Sequence, residues 1–200
     1  MSDDPTSPLP VAGADRGAVR TASGRRQDVA LREATELLQR SLLTETSMPA
    51  VLHRVAEAAR AGLPGVDEAS VTLLGRGAPR PVSTGLLADG LDVVQRNLGS
   101  GPCIEAASSG RPVWVPNTRE DPRWPVFSRH AVSRGALSLL AVPVLAQRLT
   151  RASLNLYSTR VAGLDAVTRE TALQYATLAA VAIEHSLSLT PAPRDPDARS

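Results

Sequence analysis

The sequence predicts an α+β domain in which helices pack against a mainly antiparallel sheet. Two observations carry this reading. Apolar residues recur at helical spacing towards both ends of the chain, first as Leu31, Ala34, Leu38 and Leu42, and later as Ala172, Tyr175, Ala176, Ala179, Ala182, Ile183 and Leu187. Between them lie short strand-like runs, among them 137–145 and 152–158, joined by a polar turn around 147–150. No internal repeat interrupts this order.

Each element follows from local signals. Residues 1–26 are rich in Pro, Ser, Gly, Asp and Arg, lack periodicity and read as a disordered tail. Residues 190–200, with Pro191, Pro193 and Pro196 among charges, read the same way, which leaves 27–189 as the folded unit. A first helix is expected over 28–43. Ser47 can cap a second, with Pro49 in its first turn and Leu52, Val55, Ala59 and Leu63 as its buried stripe. Gly62, Pro64 and Gly65 end it. Residues 71–74 read as a strand, 75–79 as a turn, and 81–84 as a short edge strand, where Pro81 fits best. A helix over 91–98 is broken by Gly99 and Gly101, and 102–107 opens another. A strand at 112–116 precedes a helix over 121–134, and Asp165 can cap the long last helix.

Composition narrows the function classes. A chain of 200 residues suits one domain, and 42% apolar with 21% charged residues is an ordinary globular balance. Aromatics make up only 2%, so the core must be built from Leu, Val, Ala and Ile. All 22 basic residues are arginine, yet the net charge is only +2. The arginines are scattered rather than gathered beside stacking aromatics, so nucleic-acid binding is not expected. The acidic start at Asp3 and Asp4 is no signal peptide, and no run approaches the roughly 20 apolar residues of a membrane span. A cytoplasmic protein without a membrane partner is expected. Cys103 is the only cysteine, which rules out an intramolecular disulfide or a Cys-rich zinc site. His53, His130 and His185 are far apart and lack metal-ligand spacing.

The stretch from Gly99 to Ser158 is the most informative. Gly99-Ser100-Gly101-Pro102-Cys103-Ile104-Glu105-Ala106 resembles the LGxGPCxEA segment of GAF domains, in particular those of actinobacterial proteins in which a GAF domain is joined to an RNA-binding ANTAR domain. The order continues. Residues 110–115 fit the next strand, 121–127 resemble a DxRWPxF segment, 138–144 resemble SxLSVPL, and 154–158 read LNLYS. The likeness extends over about 28–187. Ala141 stands where a Ser is usual, Ala152 where a Gly is usual, and Leu164-Asp165-Ala166 replaces an aromatic-acidic helix start. The fifteen residues after His185 are too few for an ANTAR bundle, so antitermination is not expected.

The resemblance implies a GAF-like antiparallel sheet of five or six strands, with long helices on one face and short helices on the other. It further implies a small molecule held between the sheet and the short helices, and pairing through the terminal helices. Candidate pocket residues are then Cys103, Trp124, Phe127, Asn155 and Tyr157. Cys103 sits near a helix start, where the dipole can lower a thiol pKa, or it is simply a small core residue. Trp124 and Phe127 either anchor their helix or wall a pocket. Asn155 and Tyr157 share one strand face, opposite Leu154 and Leu156, and either orient a ligand or form a fixed structural pair. Candidate dimer-interface residues are Leu38, Leu42, Ala176, Ala179, Ile183 and Leu187.

Relatives that reduce free methionine sulfoxide work through several cysteines, a cycle that one Cys cannot close, and the bilin and cyclic-nucleotide patterns are missing. The function expected is therefore a small-molecule sensory or binding domain in signal transduction or transcriptional regulation, acting through a homodimer or a separate output protein, and not an enzyme. A ligandless dimerisation module and a redox sensor at Cys103 are the alternatives. The sequence names no ligand and no cofactor.

Overall fold

The computed structural model describes residues 14–42, 47–75, 81–145 and 151–189. Eleven elements follow one another: α1 (Ala14–Leu42), α2 (Met48–Gly62), β1 (Glu68–Leu73), β2 (Val82–Ser83), α3 (Leu86–Leu98), α4 (Pro102–Ser109), β3 (Val113–Val115), α5 (Pro125–Ser133), β4 (Ser138–Pro143), β5 (Ala152–Ser158) and α6 (Ala166–Leu189). Among the described residues the strands form one antiparallel sheet in the order β2-β1-β5-β4-β3. The expected α+β class and antiparallel sheet are thus what the chain adopts.

The sheet is covered on both faces, and strand alternation decides what each face holds. Ala69 and Val71 of β1, Leu140 and Val142 of β4, and Leu154 and Leu156 of β5 point into a core shared with the long helices α1, α2 and α6. Leu139, Ala141 and Tyr157 point the other way, into a second core built with α3, α4 and α5. β5 lies between β1 and β4, and all seven of its residues are buried. Its register sets Asn155 opposite Ser70 on one side and Ala141 on the other.

On the long-helix side, Val51, Leu52, Val55, Ala56 and Ala59 form the buried stripe of α2, and Ala172, Tyr175, Ala176, Ala179 and Ile183 that of α6. The Tyr175 hydroxyl donates to the Val55 carbonyl at 2.8 Å and ties the two helices together. Asp165 caps α6, its Oδ1 accepting the Thr168 N–H at 2.8 Å.

Three expectations need correction. α1 begins at Ala14, so 14–26 are helical rather than a tail. No proline falls between 14 and 42, and its Ala and Arg residues favour extension of a helix already nucleated by the packed turns from Ala30 to Leu38. α3 begins at Leu86, five residues before the predicted start. α5 begins at Pro125, because 121–124 form a turn in which Asp121 Oδ1 accepts the Arg123 N–H at 2.9 Å. The predicted turn at 147–150 and the tails at 1–13 and 190–200 lie outside the described residues.

Replacing Tyr175 by Phe removes one buried hydrogen bond while keeping the ring. Urea unfolding of Tyr175→Phe is expected to show a loss of about 0.5–1.5 kcal/mol with an unchanged far-UV spectrum.

Candidate ligand site

The site lies where β1, β5, α3 and α4 meet, and its residues come together because a buried strand face is polar. Ser153, Asn155 and Tyr157 alternate along β5 on the short-helix side, next to Ser70 and Thr72 of β1, and all five are nearly inaccessible. Buried polar atoms need partners. The Asn155 amide donates to Ser70 Oγ and Thr72 Oγ1, each at 3.0 Å, and its Oδ1 accepts from Ser153 Oγ. The Tyr157 hydroxyl donates to Asp92 Oδ1 of α3 at 3.0 Å, and the Asn155 amide lies 3.5 Å from the same oxygen.

Gln95, one turn further along α3, links this cluster to α4. Its amide nitrogen lies 3.5 Å from the Tyr157 hydroxyl, and its Oε1 accepts the Cys103 N–H at 2.8 Å. That bond serves one of the free N–H groups at the start of α4. The N-cap residue, Gly101, has no side chain to do so; its φ is 150°, and a Cβ there would meet Gln95 Oε1 at 2.5 Å. The start of α3 is built the same way. Its N-cap is Gly85, and the Ala88 N–H is served by Glu68 Oε2 of β1 at 2.8 Å. Both inserted helices are therefore capped by a side chain from another element.

Beside this network is a cavity of about 330 Å³. Thr72, Asp92, Arg96, Cys103 and Ile104 line it, with residues 73–75 and Gly99. Asp92 is 2% exposed, and its Oδ2 has no hydrogen-bond partner among the described residues. Burial pushes the Asp92 carboxyl up to about 7, with neighbouring Asp89 adding to the effect; the nearby hydroxyls of Ser70 and Tyr157 and the charge of Arg96 act against it. Burial likewise pushes the Cys103 thiol far up, and Asp92 reinforces this. At Cys103 this outweighs the expected helix-start effect and favours the protonated thiol.

A GAF domain family model matches residues 45–184 of this chain. The chain belongs to the GAF domain family. None of the curated proteins compared with it matches. Among solved structures, a free methionine-R-sulfoxide reductase from Neisseria meningitidis, in complex with its substrate, is 18% identical. The match covers 92% of this chain and 99% of that one, with a TM-score of 0.61. The GAF domain of a phosphoenolpyruvate-protein phosphotransferase from Coxiella burnetii is 14% identical, over 79% of this chain and 95% of that one, with a TM-score of 0.59. A domain of a putative two-component sensor histidine kinase from Sinorhizobium meliloti 1021 is 18% identical, over 72% and 95%, with a TM-score of 0.57. At these identities the likeness is one of fold.

The reductases overturn the expectation that this GAF domain is not an enzyme. Free methionine-R-sulfoxide reductases from Neisseria meningitidis, Thermoplasma acidophilum and Staphylococcus aureus share its fold. The scaffold therefore carries catalytic members, and the fold does not exclude catalysis.

The candidate residues separate by place. Cys103 lines the cavity, and Asn155 and Tyr157 anchor the network behind it. Trp124 and Phe127 do not line it: both are buried in the core under α5, with Arg123 stacked on Trp124 at 4.5 Å. Leu38, Ala176, Ala179 and Ile183, expected at a contact between two copies, are instead buried in the chain's own long-helix core, at 0–3% exposure. The narrow side chains of Ala176 and Ala179 bring α6 close to its own neighbours. The Leu42 and Leu187 side chains lie outside the described residues. Sequence reasoning missed Ser70, Thr72, Asp92, Gln95 and Arg96. The available signal was the line Ala88, Asp92, Gln95 along α3, which places two polar residues on the buried face.

Two outcomes follow. Folding holds a proton on Asp92 that the unfolded chain, with the carboxyl near 3.8, has already released. The stability this contributes is complete below about pH 4 and is lost as pH rises towards 7, at no more than about 1.4 kcal/mol per pH unit. Asp92→Asn should remove that decline, so chemical denaturation should show the variant gaining on the parent between pH 5 and 8. Native Cys103 should react with iodoacetamide at pH 8 more than about tenfold slower than the urea-unfolded chain; equal rates would favour the redox reading.

Proposed function

We propose that this GAF domain is a sensory module that binds a small molecule in the cavity between β1, α3 and α4. One observation carries the reading. A cavity of about 330 Å³ is bounded by a nearly closed polar network in which a single buried carboxylate oxygen is left unanswered. Small-molecule sites combine apolar walls with a few fixed polar groups, and Ile104 and Leu73 stand here beside Thr72 and Asp92.

Transmission would run through the Gln95 clamp. A ligand that favours one position of α3 shifts Tyr157, Gln95 and the start of α4 together, because one hydrogen-bonded chain joins them. A separate output protein or a second copy is the proposed receiver, in keeping with the likeness to the GAF half of actinobacterial GAF-ANTAR proteins. The sensory unit is residues 45–184 with α1 packed against it.

Native mass spectrometry of the purified chain, followed by thermal shift against a metabolite panel that includes free methionine-R-sulfoxide, tests this. A ligand present at a hundred times its Kd should contribute about 2.7 kcal/mol, a rise in Tm on the order of 5 to 10 °C. Thr72→Leu, which places a larger apolar side chain in the cavity, should abolish the rise. A chain that arrives empty and responds to no compound would overturn the reading.

A further inference from the structure

We propose that the cavity selects a small zwitterion, its protonated amine held by Asp92 and its carboxylate or phosphate group by Arg96. This rests on the ligand-binding reading above and adds the chemistry of the ligand.

Among the described residues the network leaves one defined vacancy in hydrogen bonding. Ser70, Thr72, Ser153, Asn155, Tyr157 and Gln95 answer one another or the backbone. Asp92 Oδ2 is the exception. Once ionised, the Asp92 carboxylate accepts only, so its complement is a donor, and a charged N–H donor is the strongest one for a desolvated carboxylate and itself favours the ionised form.

Arg96 follows Asp92 by four residues on α3, on the same helix face, and lines the same cavity. It is exposed and makes no hydrogen bond or ion pair among the described residues. Asp92 and Arg96 are not within ion-pair distance of each other. The cavity therefore presents a negative group on its buried side and a positive group on its exposed side. A simple cation meets Arg96, a simple anion meets Asp92, and an uncharged molecule leaves the buried carboxylate without a strong donor. A molecule with both charges satisfies both residues. About 330 Å³ lies at the low end of small-molecule sites, which run from about 300 to 1,000 Å³, so the ligand is compact.

Isothermal titration of the full chain at pH 7.5 with 4-aminobutanoate and 2-aminoethyl phosphate, against butylamine and butanoate, decides the matter. At least one zwitterion should bind tenfold or more tighter than both single-charge probes. Which one binds distinguishes a carboxylate from a phosphate as the anionic group. Asp92→Asn and Arg96→Gln should each weaken that zwitterion at least tenfold. If Asp92→Asn does not fold, the surface variant Arg96→Gln decides alone. Smaller effects, or preference for a single-charge probe, overturn the proposal. A chain that ignores all four probes but is stabilised by an uncharged metabolite overturns the zwitterion and keeps the binding reading; silence to every compound overturns both.

Discussion

The structure depends on a strand that is buried on both faces but apolar on only one. β5 runs between β1 and β4 and has no edge exposed to solvent. Leu154 and Leu156 meet the long helices, which is ordinary apolar packing. Ser153, Asn155 and Tyr157 face the other way and bring amide, hydroxyl and phenol groups into a dry interior. Unanswered, each would cost a substantial part of a small domain's stability, about 1–3 kcal/mol. The position of α3 is the answer: it delivers Asp92 to Tyr157 and Gln95 to the start of α4.

This arrangement makes the short-helix side a linked set rather than a collection of packed pieces. α3 is capped by Glu68 from β1, and α4 is capped by Gln95 from α3. Gly85 and Gly101 stand at the two caps because the capping atoms arrive from outside and occupy the space a Cβ would need. Moving α3 therefore disturbs β1 and α4 at once. The partly completed network at Asp92 sits in the middle of this linkage, beside the cavity.

The long-helix side has a different character. It is built from Leu, Val and small Ala side chains, with a buried Tyr175 hydroxyl tying α6 to α2. Its alanines shorten the distance between α6 and its own neighbours and are spent inside the chain. A wide small-residue stripe suggested a second copy because the sequence does not show how many intrachain partners a helix must satisfy. Here α6 meets α1, α2 and the sheet. The solved structures show a further point: free methionine-R-sulfoxide reductases and a domain of a putative sensor histidine kinase share this scaffold, so the fold alone does not decide what a member does.

The sequence by itself determined the order and type of the elements, their antiparallel class and the GAF family. It also placed Asn155 and Tyr157 on the face opposite Leu154 and Leu156, because strand periodicity is a local property. It determined the Asp165 cap for the same reason. Only the tertiary structure decided that Trp124 and Phe127 fill a core away from the cavity, that Cys103 is buried at the cavity wall, and that 14–26 continue a helix. It alone selected Asp92, Thr72 and Arg96 as the cavity's polar groups. Asp92 and the β5 residues it meets are 63 and 65 positions apart, and Thr72 and Asn155 are 83 apart. Contacts over such separations are set by strand order and by the demand that buried polar atoms find partners, and neither can be read from the spacing of residues along the chain.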